Sequence, residues 1–455
     1  MSDAARIQEF RHALDDAAAE RVDHYPWGTA VHSPSIENVY DMNFLRIERG
    51  RRGARSLARE AEDVQAHLFH RRVVFDRGGP RLAADFKELG WAQTAHLVMA
   101  HRRAPDRRVD ASLVRELPFE ELTPVREDAT LREPWCDEEL AARLVEAKRR
   151  IARAIPLRNF AAVVRGKIAA YCELRCGDGI AQIEDVNTLE EYRGSGLGRA
   201  VVQHALDEAL RDHDLVFLEA LADDWPRHLY TRLGFDVVDE RWLFTRYPHP
   251  LTRLRLRTPR LELRLATRAE LRVLAEVARR GIHRRREMPF AVAWTDNSDS
   301  PQFVDDFVEF HEHALEHWRK TDWTLHLIAF HEGRPIGTQG VGAKSFARKR
   351  TIGTGSWLGR RWQRHGLGTE MRAAVLELAF RGLGAETATS GAIEGNLASL
   401  GVSRKLGYVT AGTATVAPRG RPLVEHELKR VRRGWRSPVP VEIQGLDEVR
   451  SLFGA

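Results

Sequence analysis

The chain has 455 residues, of which 43% are apolar and 30% are charged, and its formal net charge is +6. This composition is typical of a soluble globular protein, and the length predicts two or three domains. No apolar run approaches the ~20 residues that cross a bilayer, and the opening "MSDAARIQEF" lacks a basic stretch followed by an apolar core. We therefore expect no membrane partner, no signal peptide and a cytoplasmic location.

The basic residues are mostly arginine: eight are Lys and sixty-three are Arg. The Arg clusters at 49–55 and 283–287 have no recognition helix or RNA-binding signature beside them, so we interpret them as solvated faces and expect no nucleic-acid partner. The three cysteines, Cys136, Cys172 and Cys176, are too few for a disulfide framework or a zinc site. No metal is predicted.

The first hundred residues are the least regular part of the chain. They contain segments that predict a strand, a second strand, and a helix followed by a strand: "DMNFLRIE" (41–48), "HRRVVF" (70–75) and "RLAADFKELGWAQTAHLVMAHRR" (81–103). No loop suited to a phosphate lies between the first two strands. We interpret residues 1–104 as a degenerate half-domain of the fold that follows.

The pattern then becomes more regular. "NFAAVVRGKIAAYCELRCGDG" (159–179) predicts a hairpin that turns at Arg165 and Gly166. A strand at 180–189 runs directly into "RGSGLGRAVVQHAL" (193–206), where a glycine-rich loop opens a helix. The next strand, "LVFLEAL", and a short helix in "WPRHLYTRLGF", which ends at a glycine, complete the pattern.

Three prolines in "YPHPLTRLRLRTPRLELRL" (247–265) predict a linker that leads into a strand, with a boundary near residue 252. The same order of elements then recurs, with a second loop and helix in "QRHGLGTEMRAAVLELAF" (363–380) and a second short helix in "NLASLGVSRKLGY". We interpret this recurrence as an internal duplication in which little sequence identity remains. The predicted domains are residues 105–248 and 258–432.

The two glycine loops predict anion-binding sites. Glycine lets backbone N–H groups turn toward a ligand and lets the ligand approach without a Cβ in the way. Where the loop also opens a helix, the first amides and the positive end of the helix dipole point at one spot, which suits phosphate or pyrophosphate. Two such loops, each followed by a short helix ending in Leu-Gly-aromatic, are much stronger evidence than one.

Both segments resemble motif A of the GNAT N-acetyltransferase superfamily, Arg/Gln-x-x-Gly-x-Gly/Ala, which binds the pyrophosphate of acetyl-CoA. The first copy, with Arg193, Gly196 and Gly198, has a polyamine-acetyltransferase type of motif. The second, with Gln363 and Gly366, is similar to the ribosomal-protein N-terminal acetyltransferase branch. The resemblance implies an α/β fold with mixed sheets, in which two acyl-CoA N-acyltransferase folds follow one another.

The resemblance further implies that acetyl-CoA, or another short acyl-CoA, is bound by each loop and by residues next to it. In the first copy these residues are Val186, Thr188, Arg193, Gly194, Ser195, Gly196, Leu197, Gly198 and Arg199. In the second copy they are Trp357, Leu358, Gln363, Arg364, His365, Gly366, Leu367, Gly368, Thr369 and Asn396. Trp357 is also expected to pack in the core.

A dinucleotide-binding fold is the alternative explanation of such loops. It requires G-x-G-x-x-G and an acidic residue at the end of the next strand. The first copy reads G-x-G-x-G, and the second has only the pair Gly366 and Gly368. Neither copy meets the requirement.

Acyl transfer from a thioester to an amine requires a proton acceptor for the amine, stabilisation of the carbonyl oxygen, and help for the departing thiolate. The resemblance implies that a backbone N–H before each loop stabilises the oxygen. In the first domain it implies Glu184, nine residues before Arg193, as base, and Tyr230, four before Gly234, as acid. Strand alternation places Glu184 and Asp185 on opposite faces, so we expect only one of them to face the substrate. The alternatives are a solvated edge charge and a packing tyrosine.

The second domain departs from this arrangement. Thr354 stands nine residues before Gln363 and is no base at neutral pH. The resemblance implies that Asn396 contacts the pantetheine arm and that Ser399 is the acid. Glu287 and Asp296 are candidate bases.

We therefore expect an N-acyltransferase that transfers an acetyl or other short acyl group from acyl-CoA to a primary amine, by direct attack in a ternary complex. The alternative is an acyl-CoA sensor in which one or both domains are catalytically silent. The acceptor stays open between small-molecule amines, aminoglycoside-like antibiotics, amino acids and protein N-termini. The sequence does not determine the acyl group or the oligomeric state.

Overall fold

The chain divides between Tyr247 and Pro248. The computed structural model describes residues 1–50 and 52–455, and within them unit 1 comprises Met1–Tyr247 and unit 2 comprises Pro248–Ala455. Each unit is built on one mixed β-sheet with helices packed against it, which confirms the predicted α/β fold class. None of the helices in these two described ranges is long and apolar enough to cross a membrane.

The elements of unit 1 agree with the pattern predicted for residues 159–235. Its strands are β1 Arg21–Tyr25, β2 Gly28–His32, β3 Phe44–Ile47, β4 Arg71–Phe75, β5 Ala92–His101, β6 Val114–Leu117, β7 Leu157–Val164, β8 Lys167–Cys176, β9 Ile180–Thr188, β10 Leu215–Leu221 and β11 Phe235–Arg246. Its helices are α1 Asp3–Ala18, α2 Ala54–Val64, α3 Ala83–Glu88, α4 Phe119–Leu131, α5 Glu138–Ala154, α6 Leu197–Asp212 and α7 Pro226–Arg232.

The strands of unit 1 form one sheet in the order β1-β2-β3-β4-β11-β5-β10-β9-β8-β7-β6. Strands β7, β8 and β9 are antiparallel neighbours, and β9 runs parallel to β10. The hairpin between β7 and β8 turns at Arg165 and Gly166, as predicted. Both residues have positive φ, 50° and 80°, which a two-residue hairpin turn of type I′ requires.

Helix α6 covers one face of the strands that lead into and out of the first glycine loop. Its Val201, Ala205 and Leu206 are fully buried in one apolar core with Phe160 and Ile183. Helices α4 and α5 lie on the other face of the same strands, because residues of β8 and β9 contact them there. The glycine loop therefore joins a buried strand to a buried helix, and this packing fixes its position.

The N-terminal segment contributes a strand to the middle of the sheet. The order β3, α2, β4, α3, β5 repeats the order β9, α6, β10, α7, β11, and β3 is parallel to β4 as β9 is to β10. Strand β5 lies between β10 and β11, and β11 lies between β5 and β4. The segment's resemblance to a half-domain stays a prediction, but its last strand completes the sheet beside β10.

Unit 2 repeats the arrangement around the second loop. Its strands are β12 Arg255–Arg257, β13 Glu262–Arg264, β14 Asp322–His331, β15 Arg334–Lys344, β16 Thr351–Leu358, β17 Thr387–Ile393, β18 Val409–Val416, β19 Leu423–Val431 and β20 Glu442–Gln444. Its helices are α8 Arg268–Arg279, α9 Phe303–Glu316, α10 Phe346–Lys349, α11 Leu367–Glu377, α12 Leu397–Lys405 and α13 Leu446–Val449, and a π-helical turn, Leu378–Gly382, extends α11.

The strands of unit 2 form a sheet in the order β18-β19-β17-β16-β15-β14-β13-β12-β20. The strands β16 and β17 come before and after α11 in the chain and pair in parallel, as β9 and β10 do on either side of α6. The unit extends beyond residue 432: β20 pairs with β12, and the Phe453 ring packs on Trp323 with ring centroids 5.0 Å apart. Its own hairpin strand, β19, occupies the place beside β17 that β5 occupies beside β10.

Candidate active sites

The two glycine loops have the same backbone conformation although their sequences differ. In the first loop Gly194 and Gly196 have φ of 76° and 84°. In the second loop Arg364 and Gly366 have φ of 65° and 82°. Arg364 therefore adopts the left-handed conformation that its glycine counterpart adopts freely. The loop shape is a property of the fold at both places, and it turns the chain into the helix in the same way.

The first residue of each loop ties it to the preceding strand. Arg193 Nε donates to the carbonyl oxygen of Thr188 (3.3 Å), five residues earlier. Gln363 Nε2 donates to the equivalent carbonyl of Leu358 (2.8 Å) and also to that of Ile282 (2.8 Å). Both residues thus position the loop in this structure.

Both helices begin with a glycine N-cap, and no side chain caps either of them. The N-caps are Gly196 of α6 and Gly366 of α11. The first amides of a helix lack intrahelical partners and carry the positive end of the helix dipole. A Cβ at Gly196 meets open space, whereas a Cβ at Gly366 lies 3.3 Å from the Arg260 guanidinium. Each helix start therefore presents amides to a space that suits an anionic ligand.

The residues just inside the helices pack the loops in place. A Cβ on Gly198 lies only 2.7 Å from the Thr188 hydroxyl, so the close approach of α6 to β9 depends on glycine there. The Arg199 side chain is buried and donates to Asp106 and to the carbonyl of Arg107 (2.7 Å). The Arg199 guanidinium is thus engaged within the protein, and the predicted contact of Arg199 with a cofactor stays a prediction that only its backbone amide could meet. In the second loop the Leu367 side chain is buried in the core.

The parallel strands part in front of each loop. Strands β9 and β10 pair as far as Ile183 and Leu218, and β16 and β17 as far as Thr354 and Ser390. Beyond these pairs β9 continues to Thr188 and β16 to Leu358, each hydrogen-bonded only to the strand on its other side. The predicted residues Val186, Thr188, Trp357 and Leu358 all lie on these parted stretches. Each stretch leaves one strand edge open to a ligand.

A β-bulge in β9 changes the direction of Asp185. This residue has φ of 54°, and the pairing of β8 with β9 shifts beside it. Its carboxylate contacts Arg126 (2.8 Å) and Lys148 (3.1 Å), on the face covered by α4 and α5. Glu184 faces the same side, because it lies opposite Glu173, whose carboxylate also contacts Arg126 (3.0 Å). The prediction that Glu184 and Asp185 lie on opposite faces was therefore wrong.

Glu184 and Tyr230 are within electrostatic reach of each other. Burial raises the pKa of Glu184, and nearby Arg175 opposes this increase. Burial also raises the pKa of Tyr230, and the negative charge of Glu184 adds to the effect. Gln182 Nε2 donates to Glu184 (2.8 Å) and orients its carboxylate. A carboxylate of raised pKa is a better base near neutral pH, and a tyrosine of raised pKa keeps its proton to donate.

Unit 2 carries no base at this position: the nine-residue spacing leads to Thr354, whereas the pairing of the strands, which the bulge at Asp185 shifts by one residue, leads to Gly355. The Thr354 hydroxyl donates to the carbonyl of Thr389 (3.0 Å) and lies 3.2 Å from the Tyr408 hydroxyl. Ser403 occupies the place of Tyr230, because it stands four residues before the glycine that ends its helix. Sequence reasoning missed Ser403, although the spacing that indicated Tyr230 points to it.

The two predicted residues at the start of α12 form a helix cap. Asn396 is the N-cap: its side-chain oxygen accepts a hydrogen bond from the Ser399 amide (3.1 Å), and its Nδ2 donates to the carbonyl of Pro289 (3.5 Å). This cap explains the Asn-x-x-Ser spacing in structural terms. A pantetheine contact by Asn396 and an acid role for Ser399 stay predictions.

Unit 2 contains a cavity of about 1270 Å³ on the face of the sheet that α9 covers. Aromatic side chains form one wall: Phe290, Trp294, Phe303, Phe307, Phe310 and Trp357. The sheet forms the opposite wall, from which Trp357 projects toward the other rings, and glycine leaves five neighbouring positions of this wall without a side chain: Gly340, Gly342, Gly353, Gly355 and Gly391. Thr354 and Ser390, where β16 and β17 part, also line the cavity. The cavity therefore reaches the place where the strands open.

Two histidines that the sequence did not indicate lie in this cavity. His326 on β14 lies opposite Gly340, and a Cβ on that glycine is 3.5 Å from the His326 Nδ1. His311 on α9 has its ring 5.3 Å from that of His326 and donates from Nδ1 to the carbonyl of Phe307 (2.8 Å). Burial lowers the pKa of each to about 4. Both imidazoles are thus neutral near pH 7.

Neither acid named as a candidate base of the second domain lies among the cavity residues. Asp296 forms a two-point contact with Arg419 (2.7 and 2.5 Å), which lowers its pKa and engages both of its carboxylate oxygens. Glu287 is exposed in a turn. Within residues 1–50 and 52–455, no group of three or more His, Cys, Asp and Glu residues is arranged to hold a metal ion.

Two models of acetyltransferase families match the chain. The Acetyltransferase (GNAT) family model matches residues 117–235, and the Acetyltransferase (GNAT) domain model matches residues 253–409. Together they cover more than half of the chain, one in each unit, and each includes one of the glycine loops. The chain belongs to the GNAT acetyltransferase superfamily as a tandem member, and the dinucleotide-binding alternative is excluded.

Solved structures that are similar to the chain have low sequence identity to it. A functionally unknown conserved protein from Staphylococcus epidermidis is 15% identical, covering 51% of this chain and 95% of its own, with a TM-score of 0.42. A ribosomal-protein-S5-alanine acetyltransferase from Vibrio fischeri is 16% identical, covering 40% and 98%, with a TM-score of 0.31. A ribosomal L7/L12 alpha-N-protein acetyltransferase crystallised with coenzyme A is 15% identical, covering 38% and 95%, with a TM-score of 0.33. The family assignment rests on the family models.

Acetyl-CoA is the cofactor of this superfamily, and the two sites fit it. Three features show the fit: the positive φ of the loop residues, the starts of α6 and α11 that no side chain caps, and the open edges of β9 and β16. Amides at a helix start suit the pyrophosphate, and an open strand edge suits an amide-containing arm such as pantetheine. The protein therefore has the features of an acetyl-CoA-dependent acetyltransferase in both units.

Proposed function

We propose that both units are N-acyltransferases that transfer an acetyl or other short acyl group from acyl-CoA to a primary amine by direct attack in a ternary complex. The observation that carries this proposal is that each unit has a side chain able to accept a proton near the parted strands: Glu184 on β9 itself, and His326 in the cavity that reaches Thr354 and Ser390. Bound acetyl-CoA supplies the activated thioester carbonyl. The protein's own residues hold the two reactants and move the protons.

In unit 1 we assign the proton transfers to Glu184 and Tyr230. As the amine nitrogen bonds to the carbonyl carbon, Glu184 accepts the proton that the nitrogen loses. The bond from carbon to sulfur breaks with its electron pair on sulfur, and Tyr230 donates a proton to that sulfur. Raised pKa values suit both roles, because they bring the carboxylate closer to the amine in basicity and keep the phenol protonated.

In unit 2 we assign the proton acceptor to His326. Its ring lies over Gly340, whose strand neighbour is Gly355, and a Cβ on Gly355 meets open space. Gly355 is the residue after Thr354, where β16 and β17 part, so the ring faces the place where the amine meets the carbonyl. A neutral imidazole has a lone pair for this proton. His311 Nδ1 donates to the Phe307 carbonyl, and this hydrogen bond fixes the His311 ring, which lies beside that of His326 in the same cavity.

The cavity of unit 2 favours an amine with an aromatic or other bulky apolar body. Its aromatic wall offers stacking and dispersion contacts to a flat apolar group, and the glycine floor leaves room for one. Glu425 and Glu427 line the cavity together with Lys344, Lys349 and Lys429, so the acceptor preference rests on the apolar wall and not on charge. We therefore propose aryl-alkyl amines, or peptide N-termini with an aromatic first residue, as acceptors of this unit.

Release of free coenzyme A thiol tests the proposal. The full chain is incubated with acetyl-CoA and each of three acceptors: an aryl-alkyl amine, a linear polyamine and a peptide with an aromatic N-terminal residue. Thiol release is followed by absorbance, and the acetylated product is identified by mass spectrometry. We expect amine-dependent release and a product heavier by one acetyl group. Binding of acetyl-CoA without amine-dependent release contradicts the proposal and favours an acyl-CoA sensor.

Two substitutions divide the result between the units. Gly366→Asp places a negative charge at the phosphate-binding start of α11, and Gly196→Asp does so at α6. With unit 1 silenced, His326→Gln is expected to lower the rate by about 10²–10⁴. His317→Gln is the matched control, because His317 lies at the end of α9, outside the cavity residues. Equal rates of His326→Gln and the control exclude His326 as the base.

A further inference from the structure

Arg372 differs from the other buried arginines of the described chain. Six of these arginines contact a carboxylate: Arg11, Arg46, Arg71, Arg72, Arg126 and Arg199. Arg372 on α11 is only 3% exposed and forms no ion pair with any residue in 1–50 or 52–455; among these residues the Tyr408 phenol is the titratable group that acts on its charge. A buried charge without an opposite charge is costly. Such a guanidinium indicates a binding site for an anion.

Three neutral hydroxyls surround the Arg372 guanidinium. One terminal nitrogen donates to Ser356 Oγ (2.8 Å), and the other donates to Ser403 Oγ (3.2 Å) and Ser390 Oγ (3.3 Å). The buried Nε has no hydrogen-bond partner among the residues that the structure describes. Hydroxyl oxygens accept hydrogen bonds but do not neutralise the charge. The site is therefore oriented by serines and remains positive.

The location of this cation is the point where the strands of unit 2 part. Ser390 pairs with Thr354 in the last pair of β16 and β17, and Ser356 lies two residues beyond it. Both serines line the cavity. Ser403 stands where Tyr230 stands in unit 1. The guanidinium thus lies beside the position at which the acyl group leaves sulfur.

The two units differ here in a coupled way. Arg372 is the sixth residue of α11, and the sixth residue of α6 is Val202, fully buried in an apolar core. At these two positions unit 1 therefore has Tyr230 and Val202, whereas unit 2 has Ser403 and Arg372. A tyrosine gives a proton to a departing thiolate. A guanidinium keeps its protons at neutral pH and stabilises the thiolate as an ion.

We propose that Arg372, oriented by Ser356, Ser390 and Ser403, binds the coenzyme A sulfur in unit 2 as a thiolate. The proposal deepens the proposed function and rests on it. The amine nitrogen bonds to the carbonyl carbon, its proton passes to His326, and the bond from carbon to sulfur breaks with the electron pair on sulfur. The thiolate then stays ionised beside Arg372 and leaves without being protonated in the site.

A carboxylate on the acyl chain is the other anion that this cation suits. It comes from a dicarboxylic acyl-CoA, and its charge is present before the reaction begins. The thiolate is present only in coenzyme A itself. Coenzyme A has the thiol and desulfo-coenzyme A lacks it, whereas succinyl-CoA has a carboxylate on its acyl chain and acetyl-CoA lacks one. Comparing the two pairs therefore distinguishes the two anions.

Binding of these four compounds tests the proposal without turnover. The full chain carries Gly196→Asp, so that only the site of unit 2 binds. It is titrated with each compound by calorimetry at pH 6.5 and 8.5. The ionisation of the bound thiol is followed by the absorbance of the thiolate. We expect the bound thiol to ionise at a pH lower by one unit or more than in solution, which is about tenfold in affinity at high pH. Arg372→Met should remove this preference and change the affinity for desulfo-coenzyme A by less than about twofold.

Arg381→Met is the matched control, because Arg381 is an exposed arginine that follows α11 and pairs with Glu377. Arg372→Lys keeps a charge and Ser403→Ala removes one orienting hydroxyl, so both report on the site if Arg372→Met does not fold. Equal losses for coenzyme A and desulfo-coenzyme A overturn the proposal, as does a loss confined to succinyl-CoA. If no amine is acetylated, the proposed function fails, but the shift in thiol ionisation still decides the role of Arg372.

Discussion

The two sites share a loop backbone and differ in every side chain that we propose to handle a proton. The φ values of the two loops agree within about ten degrees although Gly194 in one is Arg364 in the other. In contrast, the place of Glu184 is taken by Gly355 in the strand register and by Thr354 in the sequence spacing, and Ser403 stands where Tyr230 does. Binding amides are part of the main chain, so the fold preserves them without constraining side chains. The side chains proposed as acid and base lie on separate elements, so they can differ between the units while the backbone of the loop is kept.

The largest effect that tests this comparison is loss of a whole binding site. We expect two acyl-CoA molecules to bind per chain and one to bind after either Gly196→Asp or Gly366→Asp, because a carboxylate at the helix start repels the phosphates. Calorimetry measures the stoichiometry. Gly166→Asp and Gly434→Asp are matched controls, because these glycines also have positive φ and, like Gly196, have open space at the Cβ. A single site in the unmodified protein contradicts the idea of two working loops.

The next effect separates the bases of the two units. In a chain with Gly366→Asp, Glu184→Gln should lower the rate at neutral pH by about 10²–10⁴ and let it recover as rising pH deprotonates the amine. Glu240→Gln, an exposed glutamate of β11, is the control. The assignment of Glu184 is wrong if the substitution leaves the whole pH profile unaltered.

The two units should also differ in the pH at which the rate falls on the acid side. Burial raises the pKa of Glu184, so its basic form is lost, and the rate of unit 1 falls, at a higher pH than for an ordinary glutamate. Burial lowers the pKa of His326 to about 4, so the neutral base of unit 2 persists until the pH falls to that value. Rates of Gly196→Asp and Gly366→Asp chains between pH 4 and 8 measure this. Identical acidic limbs contradict the difference in base.

A smaller effect concerns the acid of unit 1. Tyr230→Phe removes the proton donor but keeps the ring that packs on Phe235, so we expect the rate to fall by about tenfold or more with little change in acyl-CoA affinity. The measurement is kcat and dissociation constant in the Gly366→Asp chain. Tyr247→Phe, at an exposed tyrosine, is the control. An unchanged rate would show that Tyr230 only packs.

The smallest effect compares the second glycine of each loop. A Cβ on Gly198 lies 2.7 Å from the Thr188 hydroxyl, whereas a Cβ on Gly368 makes ordinary contacts at 3.6 and 3.7 Å. Gly198→Ala should therefore destabilise the protein by about 1–2 kcal/mol, and Gly368→Ala should be neutral or stabilise it by about 0.5 kcal/mol. Urea unfolding of the two variants measures the difference. Equal free energies of unfolding would mean that Thr188 moves aside without cost.

Local patterns in the sequence predicted the elements that depend on neighbouring residues. The hairpin at Arg165 and Gly166 follows from turn chemistry, and both loops follow from glycine before an amphipathic helix. The bulge at Asp185 was not predictable, because alternation is the default for a strand and the ion pairs that hold the bulge come from Arg126 and Lys148, distant in the chain.

The residues of unit 2 that carry its proposed chemistry gave weak signals. His311 and His326 stand among apolar residues in a helix and a strand, and only the fold places their rings 5.3 Å apart. Arg372 is a lone arginine in the apolar run "MRAAVLELAF", which is a visible irregularity of the helix. A charged residue on the buried face of a helix is rare, so such a residue indicates a special role for its position.

The placement of β5 between β10 and β11 has a consequence for synthesis. Ala100 pairs with Phe217 on one side and with Asp236 on the other, so both partners leave the ribosome long after β5 does. At about 5–20 residues per second, the delay is on the order of 10 seconds. During this time the nascent chain carries the unpaired edges of β4 and β5, which attract other strands. Chaperones that cover strand edges should therefore matter most to this protein while it is being made.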